Sequence, residues 1–182
     1  LPTPSATPLP RPGNGARDTT NGYGVAISNI VINIFGARVL NTNWEDIPAI
    51  FGTTTTKDGW TVDSGNIDVW SLGGGNVSPP FCPAHSGTNA LDLNGTVAGA
   101  ISTNVSTIPG KTYLFRFVYT KNPNEGSVAS FIPTARVEMN GQVVRNLTYN
   151  GLNSYCNLNW RDGDVLYRAT GGVTKVAFIS TW

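Results

Sequence analysis

Charge, histidine and cysteine are all scarce in this chain of 182 residues. Lys and Arg number 12 against 11 Asp and Glu, and charged residues make up 13% of the whole. With a net charge of +1 and no basic run, nucleic acid and anionic membrane surfaces are poor partners. No apolar run reaches the roughly 18 residues of a membrane span. The longest candidate, VAISNIVINIF, is broken by Ser28, Asn29 and Asn33. The opening LPTPSATPLPRPG lacks the basic-then-apolar start of a secretion signal, so a mature or trimmed product is expected. One His and two distant Cys cannot make a tetrahedral zinc set. The even count of Cys82 and Cys156 favours one disulfide, with two separate thiols as the alternative. No G-x-S-x-G is present, so His85, in PPFCPAHSG, reads as a loop residue rather than a triad base.

Glycine and proline are plentiful, at 21 and 12 residues. With frequent Thr, Asn and Val they favour strands joined by tight turns. Residues 1–18 form a Pro/Thr/Ser segment that suits a linker or stalk, and residues 19–182 are expected to form one domain. In KTYLFRFVYT, Tyr113, Phe115, Phe117 and Tyr119 share one face, with Leu114, Arg116 and Val118 on the other. Asn140-Gly141 is a hairpin turn that places Val137 and Met139 inward and Arg136 and Glu138 outward. No long window carries the helical period. Ten or so short strands in one domain predict an all-β antiparallel sandwich or jelly roll.

Three motifs then carry a resemblance. GWTVDSGNIDVWS, ALDLNGTVAGAIS and TIPGKTYLFRF follow one another as do motifs of the family called domain of unknown function 642, whose bacterial relatives are labelled choice-of-anchor C. VLNTNWED resembles that family's opening V-x-N-G-x-F-E, with Trp44 in place of Phe and Glu45 kept. The likeness covers roughly residues 38–182. It implies a galactose-binding-like β-sandwich, extracellular and often in plant cell walls, that binds polysaccharide or wall proteins without catalysis. The family's closing strand, similar to YGPALDNVSV, is displaced here: NGYGVAISNIVI, residues 21–32, resembles it at the other end of the chain. Circular permutation, a strand left from a preceding repeat, or strand exchange between copies would each produce this order. Permutation is favoured, because an unclosed sheet exposes an edge. It predicts residues 21–35 beside VTKVAFIS in the same chain.

Chemistry is sparse along the sequence. Asp68 and Asp92 each stand between apolar neighbours, so alternation turns them away from the core as outward or rim carboxylates accepting backbone hydrogen bonds. No spacing among the acids is diagnostic of a glycosidase pair. No cofactor is required. The resemblance allows a structural Ca²⁺, with Glu45 as ligand and Asn41 nearby, although Ser28 stands where the family has Asp. Sugar binding needs aromatic faces with amide and carboxylate partners for hydroxyls. Trp70, Phe81, Tyr119, Tyr155 and Trp160 fall at strand ends or in loops, and His85, Asn122 and Asn157 lie among them. A Cys82–Cys156 bond would pin two of these loops at one end of the sandwich, the predicted glycan site. Sequons stand at Asn76, Asn94, Asn104 and Asn146, with Asn94 inside a turn that it can serve instead. The expected function is a secreted, non-catalytic carbohydrate-binding or cell-wall module. The alternatives are an adhesive domain using strand exchange, then a hydrolase.

Overall fold

In the computed structural model, residues 24–34, 37–42, 44–45, 50–54, 59–71, 85–123, 131–154 and 156–182 are described. The expected stalk, the SPPFCP stretch with Phe81 and Cys82, Asn76 and Tyr155 lie outside them. The described residues hold twelve strands and no α-helix. They run β1 Val25–Ile34, β2 Ala37–Thr42, β3 Ile50–Thr53, β4 Trp60–Ser64, β5 Ile67–Ser71 and β6 Asn89–Asp92. The second half runs β7 Ala100–Ser106, β8 Thr112–Lys121, β9 Thr134–Met139, β10 Gln142–Thr148, β11 Arg161–Arg168 and β12 Val173–Ser180.

Two antiparallel sheets pack face to face, the expected all-β sandwich. The seven-stranded sheet runs β11-β8-β1-β6-β5-β3, with β2 on β1, and the five-stranded sheet runs β10-β9-β12-β7-β4. An aromatic chain joins them: Trp44 to Trp60 at 5.6 Å, Trp60 to Phe178 at 6.0 Å, and Phe178 edge-on to Phe117 at 5.0 Å. Each such pair adds about 0.5–1.5 kcal/mol beyond the area it buries. The Tyr113, Phe115, Phe117 and Tyr119 face is buried as alternation predicts. The β9–β10 hairpin turns at Asn140 and Gly141, with φ of 51° and 77°, the left-handed pair its sequence calls for.

β1 shows how sequence sets register. Its buried residues change parity midway, from Val25 and Ile27 to Ile30 and Ile32. An unbroken strand would turn one of these halves away from the core, because a slip of one residue exchanges the faces. Asn29 absorbs the extra residue at φ 50°, where the β1–β8 register shifts between Ser28 and Val31. Asn enters that left-handed region more readily than most side chains.

The expected place of β1 is corrected. VTKVAFIS, as β12, pairs with β7 and β9, while β1 sits in the other sheet, between β8 on one edge and β6 then β2 on the other. Val25 to Ser28 are all buried, two on each face of the strand. Such a segment belongs in a sheet covered on both sides, not beside a strand whose outward residues include the exposed Lys175.

Candidate functional site

The outer face of the seven-stranded sheet carries an open, polar groove. β11, β8 and β1 lie side by side, and their outward residues line up in rows. Asp164 stands opposite Arg116, which stands opposite Val31, and Asp162 stands opposite Val118. Asn29, Asn33 and His85 complete the lining, and the groove has a volume of about 510 Å³.

Three local devices shape it. The β1 bulge holds Asn29 at the groove, since a bulge bends its strand and re-aims side chains. Gly163 separates the two aspartates on β11 and faces inward opposite Phe117. A Cβ there would collide with the Phe117 ring, so the glycine lets β11 lie close while Asp162 and Asp164 point out. His85 arrives on the segment ahead of β6, and Glu45 ties that segment down. One Glu45 oxygen accepts the amides of Thr88 at 2.9 Å and Asn89 at 2.8 Å, and the other accepts the Thr88 hydroxyl at 2.6 Å. Partial burial raises the Glu45 pKa, but the bonds from Thr88 and Asn89 outweigh it and hold the carboxyl below its ordinary range.

Arg116 Nε lies 3.8 Å from Asp164 Oδ1, with the two side chains 60% and 51% exposed. A pair so wet contributes at most about 1 kcal/mol, so both groups remain competent to bond a ligand.

Among the described residues expected to bind sugar, His85 alone lines this groove. Trp70 is 4% exposed, covered by Leu158 and Trp160 from the segment ahead of β11, with Ala26 and Ala90 around it. Trp160 is half-buried in that cluster. Tyr119 belongs to the core, 6.2 Å from Phe117 and 6.3 Å from Tyr149. Asn122 is fully buried and donates to Asp92 at 2.8 Å. Asn157 is exposed and shapes its own turn, pairing with Ser154 and accepting the Asn159 amide at 3.2 Å. The groove lies on a sheet face, whereas Phe81, Cys82 and Tyr155 of the predicted end-of-sandwich site fall outside the described residues. The covering segment crosses that face, held where Thr120 donates to the Leu158 carbonyl and Asn153 to the Lys121 carbonyl.

The remaining described carboxylates have structural partners. Asp68 and Asp92 face each other across β5 and β6, turned away from the core residues Val69 and Leu91 as alternation predicts, but they are buried there at 3% and 0% exposure rather than at a wet rim. Burying a charged or polar group without partners costs several kcal/mol. Asp68 accepts the Gly52 amide at 2.6 Å, and Asp92 accepts the Asn94 amide at 2.9 Å as well as Asn122. They accept backbone hydrogen bonds, as expected, but as buried groups. Glu45, the expected calcium ligand, is engaged with Thr88 and Asn89, and Asn41 is exposed on β2 opposite Val31. Among the described residues no three His, Cys, Asp or Glu side chains converge on one point. Cys156 is exposed, and the expected bond to Cys82 falls outside the described residues.

Sequence reasoning missed Asn29, Asn33, Asp162 and Asp164, and read Arg116 only as outward. The signal was present in RDGD, whose acids alternate about a glycine, and in the two Asn that interrupt β1. Their convergence depends on β1, β8 and β11 being neighbours, which local pattern does not encode. The groove assembles two carboxylates, a guanidinium, an imidazole and two carboxamides in solvent contact. These are groups that hydrogen-bond a polyhydroxylated ligand. Among the described lining residues Phe117 is the one Phe, Tyr or Trp, and it is buried. No family model, no curated protein and no solved structure matches the chain.

Proposed function

We propose that this chain is a non-catalytic carbohydrate-binding module, acting outside the cell in a wall or matrix, whose site is the outer groove of the seven-stranded sheet. The observation that carries the reading is the convergence of Asp162, Asp164, Arg116, His85, Asn29 and Asn33 on one open surface. Carboxylates and carboxamides each engage hydroxyl pairs, and a shallow groove leaves a polymer free to continue beyond it.

Binding is favoured over hydrolysis on geometry. Asp162 and Asp164 project from one strand, two residues apart, so both lie on the same side of any ligand. Acid catalysis at a glycosidic bond needs two carboxyl groups flanking it. The adhesive alternative requires β1 of one copy to enter the sheet of another, whereas here β1 pairs with β2, β6 and β8 of its own chain.

A panel of soluble polysaccharides in affinity gels tests the reading. At least one polymer should retard the protein. Asp162→Ala combined with Asp164→Ala should weaken that binding by about tenfold or more, the scale of losing charged hydrogen bonds, with an unchanged circular dichroism spectrum. Retardation that survives the double substitution places the site elsewhere, and a panel without a hit defeats the reading.

A further inference from the structure

Three of the four sequons fall on described residues, at Asn94, Asn104 and Asn146. Burial sorts them. Asn94 is 1% exposed, its amide packed into the space left by the missing side chain of Gly24. Asn104 and Asn146 are exposed.

These two lie on different strands yet share one surface. On β7, Ile101 and Val105 enter the core, which turns Asn104 outward. On β10, Leu147 enters the core, which turns Asn146 outward opposite Arg136. Both amides therefore leave the outer face of the five-stranded sheet, on the side of the sandwich away from the groove. Asn104 also opens onto a hollow of about 250 Å³ lined by Thr61, Asp63, Ser102 and Lys175. Lys175 Nζ and Asp63 Oδ2 stand 3.1 Å apart within it. Small hydroxyl side chains beside a Lys–Asp pair offer donors and acceptors to the acetamide and hydroxyls of a first N-acetylglucosamine.

We propose that Asn104 and Asn146 carry N-linked glycans, which coat the five-stranded face, on the side of the sandwich away from the groove. The donor is a lipid-diphosphate-linked oligosaccharide. Each Asn Nδ2 loses a proton and bonds the anomeric carbon, while the bond from that carbon to the diphosphate oxygen breaks and the lipid diphosphate leaves with the electron pair. Transfer to the unfolded chain makes a mid-strand sequon accessible, and an outward position lets the modified chain fold afterwards.

The test is site occupancy in the full chain secreted from a eukaryotic cell. Peptide N-glycosidase in heavy-oxygen water converts each glycosylated Asn to a mass-marked Asp, read by peptide mass spectrometry. The expected result marks Asn104 and Asn146 and leaves Asn94 unmarked. Asn104→Gln and Asn146→Gln should each remove one step of gel mobility. An unmarked Asn104 or Asn146, or a mark on Asn94 in secreted, folded chain, overturns the proposal. Occupancy is read from mass alone, so this result is independent of whether the groove has a ligand.

Discussion

Glu45 governs the groove without lining it. Its carboxylate gathers the Thr88 hydroxyl and the Thr88 and Asn89 amides, three residues from His85. Because the folded pKa lies below the unfolded one, ionised Glu45 stabilises the fold above the ordinary carboxylate range. That contribution is lost as pH falls through the lower, folded value. Thermal melts should therefore show wild-type protein above Glu45→Gln at about pH 7, with the gap closing toward about pH 3. A gap that is absent at neutral pH, or constant across the range, contradicts the assignment. At this scale the sequence was informative where neighbours within one strand decide the outcome. Tyr113, Phe115 and Phe117 are core because they alternate with Leu114 and Arg116. It misled where cover comes from afar: Trp70 sits at a strand end, but Leu158 and Trp160 close over it.

Elements follow the same division. The Asn140-Gly141 hairpin was legible because two adjacent residues dictate its geometry. The pairing of β1 was not, because its partners β6 and β8 lie some sixty and ninety residues away and no local pattern names them. The edge strand β11 depends on Gly163, whose inward face is filled by the Phe117 ring. Gly163→Val overpacks that contact and should destabilise by about 1–3 kcal/mol, several degrees in Tm for a domain of this size. Gly172→Val, where an added Cβ meets nothing within 4 Å, serves as the control and should melt close to wild type. Equal losses at the two sites would show that the β8–β11 contact is not the cause.

The whole molecule has two unlike outer surfaces on one core. Alternation and turn signals were enough to read a sandwich, because each strand's burial pattern is local. The groove is a property of strand order, which brings Asn29 of β1, Arg116 of β8 and the aspartates of β11 onto one face. The same order puts Asn104 and Asn146 on the opposite face. Backbone-amide NMR, with an oligosaccharide cut from whichever polymer binds, asks directly which face meets the ligand. Shift changes should cluster at residues 29–33, 85, 116–118 and 162–164 and spare β7, β9 and β10. Changes confined to the five-stranded sheet, or spread with no focus on β1, β8 and β11, would contradict the account.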